Sequence, residues 1–265
     1  MSTATIHNVT SPDGTQIAYQ LSGDGPPLVL VHGGISDHAY WHAVLPALEG
    51  RFRVYSMERR GRGHSGDAQP YGIEREYEDI AALVESIDEP AYLLGHSYGA
   101  ICSAEAALLV DDLRALVLYE PPFDPNGFAF PTGFIDSLEA LLASGDRAAV
   151  IREMMAEVVG LSREELAELE ASESWPALVA TAHTLPRELR SVESYRFDPE
   201  RFRGLSAPTL LLDGDQSPDE IRLGVRLLDE VLPNSRLVTM PGVGHEAVET
   251  GPETFVQTLF GGLAA

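Results

Sequence analysis

The chain reads Ala-Tyr-Leu-Leu-Gly-His-Ser-Tyr-Gly-Ala over residues 91–100 and continues into an alanine-rich segment. The short apolar run has the length of a strand, and the residues after Gly99 have the composition of a helix, so Ser97 falls between the two. Gly95 and Gly99 suit a sharp turn because neighbouring backbone must pass close to it. The stretch therefore predicts strand, turn and helix, with the Ser97 hydroxyl presented at the turn.

Strands and helices alternate on both sides of this stretch. Strands are predicted at 5–9, 16–21, 28–31, 52–57, 115–119, 208–212 and 236–240, and helices at 41–48, 73–87, 100–110, 219–232 and 252–260. The Ser-Pro-Asp-Gly sequence at 11–14 predicts a hairpin between the first two strands. The alternation predicts an α/β fold, with a mostly parallel sheet flanked by helices and right-handed crossovers.

The alternation lapses between the strands at 115–119 and 208–212. The intervening sequence reads mainly as helices, at 134–143, 146–159, 163–171 and near 177–184. We therefore predict a helical cap over residues 123–206, inserted into a core domain made of residues 1–122 and 207–265.

The composition argues against several classes of function. A net charge of -23 gives the protein a field that repels polyanions, so nucleic acid is not an expected partner. The single cysteine, Cys102, cannot form an intramolecular disulfide. No apolar run reaches membrane-spanning length, and the first residues lack a basic segment followed by an apolar one. We expect a cytoplasmic protein without a membrane partner, either a monomer or a homodimer.

Four motifs together resemble the α/β-hydrolase family. They are Val-His-Gly-Gly at 31–34, Glu-Arg-Arg-Gly-Arg-Gly-His-Ser at 58–65, Gly-His-Ser-Tyr-Gly at 95–99 and Pro-Gly-Val-Gly-His at 241–245. They occur in the family's order, and the resemblance covers nearly the whole chain. It implies the α/β-hydrolase fold, in which an inserted helical cap is common, and a nucleophile at Ser97.

A serine becomes a useful nucleophile only when a base takes its proton and an acceptor orients that base. His245 is the best candidate base, because it follows the last predicted strand in a glycine-containing loop and also matches the family's histidine. The transition state needs two donors to its oxyanion. The backbone N–H of Tyr98, directly after the nucleophile, is one candidate, and that of Gly34 matches the family's second donor.

The acid departs from the family's usual pattern. Most members place it three residues beyond a glycine in the loop after the strand at 208–212, and counting from Gly214 reaches Ser217, which cannot serve. Asp215 lies in the same loop, two positions early. Some members, including fungal zearalenone lactonases, take their acid from the strand that ends here at Glu120.

We favour Glu120 as the acid and keep Asp215 as the alternative. Functional groups in open α/β sheets collect outside the carboxyl ends of the strands, where Glu120 lies. A carboxylate that ends the apolar run at 116–119 also needs a partner, and a histidine is one. Glu120 can instead be read as a loop carboxylate that accepts backbone N–H groups.

The sequence predicts neither a metal site nor a cofactor. No paired His, Cys or carboxylate spacing suggests a metal, and the glycines at 61 and 63 do not fit the dinucleotide fingerprint. We expect local carboxylates to neutralise the three arginines of this loop. Aromatic residues of the predicted cap favour a fairly hydrophobic substrate; they are Phe123, Phe128, Phe130, Phe134 and Trp175.

The hypothesis is a cofactor-independent serine hydrolase that cleaves a carboxylic ester or lactone of a small molecule. Two alternatives stay open because fold does not determine function. One is a non-hydrolytic enzyme of the same fold, such as a cofactor-free dioxygenase, perhydrolase or lyase, or a C–C bond hydrolase. The other is a non-catalytic ligand-binding protein.

Overall fold

In the computed structural model, which describes residues 5–264, eight strands form one sheet. They are β1 (Thr5–Thr10), β2 (Gln16–Ser22), β3 (Pro27–Val31), β4 (Arg53–Met57), β5 (Ala91–His96), β6 (Leu113–Tyr119), β7 (Thr209–Gly214) and β8 (Ser235–Met240). The strand order is β1-β2-β4-β3-β5-β6-β7-β8. The hairpin β1-β2 and the pair β2-β4 are antiparallel, and all other pairs are parallel. The predicted α/β fold class is confirmed.

Helices cover both faces of the sheet. After a 3₁₀ turn at His38–Trp41 come α1 (Leu45–Glu49), α2 (Ile73–Glu85), α3 (Tyr98–Ala106), α4 (Phe134–Ala143), α5 (Arg147–Glu157), α6 (Arg163–Glu170), α7 (Trp175–Thr181), α8 (Leu185–Ser194), α9 (Pro199–Phe202), α10 (Asp219–Val231), α11 (Ala247–Thr250) and α12 (Pro252–Leu263). Within residues 5–264, no helix is long and apolar enough to cross a membrane.

The continuous apolar strands divide their side chains between two cores. In β3, Val29 and Val31 pack on the face that carries α2, α3 and α10. Leu28 and Leu30 pack on the opposite face, with α1 and α12. Successive side chains of a strand point to opposite faces, so a fully apolar strand is what two covered faces require.

The helices between β6 and β7, α4 to α9, are called the inserted helices below. Part of them forms a hydrophobic cluster of its own, in which Ile135 and Leu138 of α4 meet Ile151 of α5 and Leu189 of α8. The sequence pattern predicted helices in this region, but the last predicted helix ended near residue 184, before α8 and α9. The division of the chain into core (1–122 and 207–265) and cap (123–206) stays a prediction.

Helix α8 was missed by the sequence analysis. Pro186 marks a helix start, because proline fits the first turn, and it separates α7 from α8. Leu185, Leu189 and Val192 carry the helical spacing that could have revealed it, since all three are buried on one face. Glu188 is buried on the same face and interrupts the apolar pattern.

Candidate active site

Ser97 occupies the tight turn that the sequence predicts between β5 and α3. Its backbone has φ +53° and ψ -122°, a conformation that non-glycine residues adopt only when their surroundings impose it. Two backbone hydrogen bonds do so here: the Ser97 N–H donates to Tyr119 O (2.9 Å), and Ser97 O accepts from the N–H of Ala100 (2.8 Å). The side chain stands half-buried at the carboxyl end of the sheet.

Glu120 and His245 are brought together although 125 residues separate them. Glu120 Oε2 lies 2.6 Å from His245 Nδ1, and Glu120 Oε1 accepts the N–H of Gly214 at 2.7 Å. A carboxylate only accepts, so the ring proton sits on Nδ1 and leaves Nε2 with a free lone pair. Glu120 is fully buried and has φ +47°, which fixes the carboxylate at the end of β6.

The pKa of His245 is raised above its ordinary value of 6.5. Burial alone would lower this pKa, because it disfavours the charged imidazolium. The hydrogen bond to Glu120 and the negative charges of Glu246 and Glu120 together outweigh burial. The imidazolium that forms when His245 accepts a proton is therefore stabilised.

The backbone on both sides of His245 is held by two aromatic side chains that the sequence analysis did not assign to this role. The Tyr119 hydroxyl donates to Gly244 O and accepts the N–H of Ala247 at 3.1 Å. His96 donates from Nε2 to His245 O at 2.9 Å. Burial and the nearby His245 lower the pKa of His96 well below 6.5, so this donor is a neutral imidazole. The one feature of the sequence that could have indicated this role is Tyr119 itself, a polar tip at the end of an otherwise apolar strand.

Asp215, the alternative acid, lies on the surface and serves a turn. Its Oδ1 accepts the N–H of Gly242 at 2.8 Å and the side-chain amide of Gln216 at 2.9 Å. The neighbouring Asp213 is buried and pairs with Arg222 at 2.8 Å. In the part of the chain that the structure describes, neither aspartate hydrogen-bonds His245, so the geometry favours Glu120.

The two candidate oxyanion donors belong to two segments near Ser97, the start of α3 and the loop after β3. Tyr98 is the first residue of α3, and N–H groups of a first turn have no partner within their helix. The loop at 32–36 is called the oxyanion loop below, because it carries the candidate donor Gly34. It lies close to the serine, since a Cβ on Gly33 would be 3.2 Å from Ser97 Cβ. Gly34, the second candidate donor, follows directly in this loop.

His32 supports the oxyanion loop and is not placed as a base. Its Nδ1 donates to Gly33 O at 2.9 Å, and its Nε2 accepts the N–H of Arg59 at 3.3 Å. Burial, together with the positive charges of Arg59 and Arg62, holds the pKa of His32 well below 6.5. Both ring nitrogens of a neutral imidazole are thus used in structural hydrogen bonds.

Carboxylates neutralise the three arginines of the loop at 58–65, as the sequence analysis expected. Arg60 pairs with Asp79 of α2 at 2.7 Å and with Asp13, between β1 and β2, at 2.9 Å. Arg59 and Arg62 share Glu188 of the inserted helix α8, at 2.6 Å and 3.0 Å. These three arginine side chains are almost completely buried.

One group of possible metal ligands occurs among residues 5–264. Ligand atoms of His96, His245 and Glu246 lie within 4.8 Å of one another. A cation bound to His245 Nε2 would take the lone pair that a catalytic base needs. The group is therefore compatible with inhibition by a cation but not with a metal that assists this base.

Comparison with known proteins identifies relatives over nearly the whole chain. The model of the alpha/beta hydrolase family matches residues 28–258. The solved structure of an alpha/beta hydrolase from Sphaerobacter thermophilus is 36% identical and superposes with a TM-score of 0.81, covering 96% of this chain and 100% of that one.

Two curated relatives differ in how much of their length is matched. The pimeloyl-(acyl-carrier protein) methyl ester esterase of Aeromonas hydrophila is 27% identical over 92% of this chain and 97% of its own length. The probable oxidoreductase EphD of Mycobacterium tuberculosis is 37% identical over 100 residues, which are 35% of this chain and only 17% of that protein. The second likeness concerns a small part of a much longer chain.

Proposed function

Because the chain belongs to the alpha/beta hydrolase family, we propose that it is a cofactor-independent serine hydrolase that cleaves a carboxylic ester or lactone of a small, fairly hydrophobic molecule. The observation that carries the proposal is the 2.6 Å contact between Glu120 and His245, in a structure that also holds Ser97 on a strained turn. An oriented base and a serine hydroxyl at the same end of the sheet are the elements of nucleophilic catalysis. The full-length likeness to a methyl ester esterase supports an ester as substrate.

In the proposed reaction, Ser97 Oγ attacks the carbonyl carbon while His245 Nε2 takes the hydroxyl proton. The N–H groups of Gly34 and Tyr98 donate to the oxygen that becomes negative. As the tetrahedral intermediate collapses, the ester C–O bond breaks and His245 returns the proton to the leaving alkoxide. Water then attacks the acyl-enzyme, with His245 again as base, and releases the carboxylic acid and free Ser97. Glu120 orients His245 throughout.

Labelling by a serine-directed fluorophosphonate tests this proposal. We expect intact-mass spectrometry to find a single adduct on the parent protein and none on Ser97→Ala, because only an oriented base activates one serine over the others. Circular dichroism of both proteins checks that the variant is folded. A folded parent without an adduct, or equal labelling of both proteins, would reject an activated Ser97 and favour the non-hydrolytic or binding functions.

The pH dependence of the activity tests the role of His245. The base must be neutral, so kcat/KM should fall as the pH drops through the raised pKa of His245, above 6.5. Glu246 is exposed, and its charge contributes to that increase. In Glu246→Gln the acidic limb of the kcat/KM profile should therefore move to lower pH.

The matched control for this profile is Glu164→Gln, the same loss of charge on the exposed face of α6. Its acidic limb should coincide with that of the parent. An acidic limb that stays in place in Glu246→Gln, or moves to higher pH, contradicts the assignment of His245 as the titrating base.

A further inference from the structure

Arg62 joins the oxyanion loop to the end of α7 and to α8. Its Nε donates to Ser36 O in the oxyanion loop at 3.0 Å. Its Nη1 donates to Thr181 O at 2.9 Å and to the Thr184 hydroxyl, and its Nη2 pairs with Glu188 of α8 at 3.0 Å. The side chain is only 2% exposed, and all three of its nitrogens are used. One guanidinium thus ties the oxyanion loop to the inserted helices.

The oxyanion loop needs such support because its backbone is strained. Ile35, between Gly34 and Ser36, has φ +50°. A β-branched residue in this left-handed region costs about 1–2 kcal/mol, and the conformation persists only when neighbours impose it. His32 holds the carbonyl of Gly33 on one side of the strained residue, and Arg62 holds the carbonyl of Ser36 on the other.

Helix α8 also contacts this loop directly through Glu188. A Cβ on Gly34 would lie 3.5 Å from Glu188 Oε2, so the carboxylate lies next to this residue. The other oxygen, Oε1, accepts from both Arg59 and Arg62. Burial would raise the pKa of Glu188, but the charges of these two arginines lower it, so the carboxylate is ionised and holds Arg62 in place.

We propose that Arg62 is a positioning residue for the oxyanion hole: it fixes the orientation of the Gly34 N–H and makes that orientation depend on the docking of α8. This inference rests on the proposed function, because it concerns the second donor of the proposed oxyanion hole. Among the described residues, Arg62 hydrogen-bonds neither the nucleophile nor the base. It acts through the backbone of Ser36 and Ile35.

An interaction that stabilises only the transition state changes kcat and leaves KM nearly unaffected. The test is Arg62→Lys, which keeps a positive charge opposite Glu188 but cannot also donate to Ser36 O and Thr184, since lysine lacks the planar fork of arginine. Because loss of a whole donor costs about a hundredfold to a thousandfold, a misplaced donor should lower kcat by about tenfold to a hundredfold, with KM within about twofold.

A second readout reports on the oxyanion hole itself. A boronic acid that resembles the acyl group of the test ester forms a tetrahedral adduct with Ser97, and one of its oxygens occupies the oxyanion position. Its inhibition constant for Arg62→Lys should rise in proportion to the fall in kcat. The acidic limb of the pH profile should stay in place, because the contacts of His245 are unchanged.

Arg60→Lys is the matched control. Arg60 lies in the same loop and is equally buried, but within residues 5–264 its side chain hydrogen-bonds Asp79 and Asp13 and not the oxyanion loop. The control should lower the melting temperature while kcat and boronate affinity stay within about twofold of the parent. Parental kcat in Arg62→Lys, or equal effects of both variants on boronate affinity, would overturn the proposal.

If Arg62→Lys does not fold, Thr184→Val replaces it. This change removes one acceptor of Arg62 Nη1 and leaves the buried charges paired. We expect kcat and boronate affinity to fall together by a few-fold, with KM unchanged, and parental values for both would overturn the inference. A folded parent that gives no fluorophosphonate adduct rejects the proposed function and this inference with it, whereas an active parent with unaffected variants rejects the inference alone.

Discussion

Glu120→Ala should lower kcat/KM by about a thousandfold or more, whereas Asp215→Ala should leave it within a few-fold of the parent. Without the Glu120 carboxylate, nothing holds the proton of His245 on Nδ1, so the ring can adopt the wrong tautomer and orientation. Within residues 5–264, the exposed Asp215 side chain accepts hydrogen bonds only from Gly242 and Gln216. Its loss removes a turn hydrogen bond and leaves the base in place.

The kcat/KM values of the parent, Glu120→Ala and Asp215→Ala are measured with one ester substrate, and circular dichroism checks that each protein is folded. Folding matters because Glu120 also accepts the N–H of Gly214, so alanine leaves that buried donor unpaired. Glu120→Gln is the conservative variant. Its amide oxygen can accept from either Gly214 N–H or His245 Nδ1–H, but the side chain has no charge to stabilise the imidazolium. Its activity should therefore lie between those of Glu120→Ala and the parent. Equal losses in Glu120→Ala and Asp215→Ala would refute the assignment of the acid.

Gly99→Ala should destabilise the protein by about 3 kcal/mol or more, or prevent folding. A Cβ at this position would lie 2.3 Å from His32 O and 2.6 Å from Val31 O. Both are backbone atoms at the end of β3, so neither can move away without displacing the strand from α3. Overpacking that shifts side chains and backbone typically costs about 1–3 kcal/mol and occasionally more, and a clash with two backbone atoms places this variant at the upper end.

Urea denaturation of Gly99→Ala and of a matched variant measures this cost. Gly204→Ala is the control, because a Cβ at Gly204 meets nothing within 4 Å and this glycine is exposed. The control should change the free energy of unfolding by less than about 0.5 kcal/mol. Similar midpoints for the two variants would contradict the close approach of α3 to β3.

The turn at Ser97 could be predicted because its determinants are local. An apolar strand, two glycines and an alanine-rich helix follow one another within about twenty residues. The pairing of Glu120 with His245 could be predicted, because Glu120 stands at the end of an apolar strand, although the family's usual spacing for the acid pointed to the loop after β7. The contact between the two side chains agrees with that prediction, and the catalytic role of Glu120 awaits the comparison with Asp215.

The supports of the site could not be predicted from local sequence. Tyr119 and Gly244 are 125 residues apart, and Arg62 meets Glu188 across 126 residues, so no window of sequence contains either pair. Ile35 gives no warning of its left-handed backbone, since isoleucine is among the residues least suited to it. Long-range packing, not local preference, imposes this conformation.

If Glu120 is the acid, its position directly after β6 means that the loop joining β7 to α10 supplies no side chain to proton transfer. Among the described residues from the end of β7 to the start of α10, the Glu120 carboxylate accepts a hydrogen bond only from the backbone N–H of Gly214, the last residue of β7. In members that carry their acid in this connection, its length and sequence are constrained by catalysis. If Glu120 is the acid, residues 215–218 carry no catalytic side chain here, and what the structure requires of them is support for the loop before His245: Asp215 Oδ1 accepts the N–H of Gly242, and the N–H of Gln216 donates to Val243 O at 3.0 Å. Their side chains can then diverge between homologues as long as these two hydrogen bonds are kept.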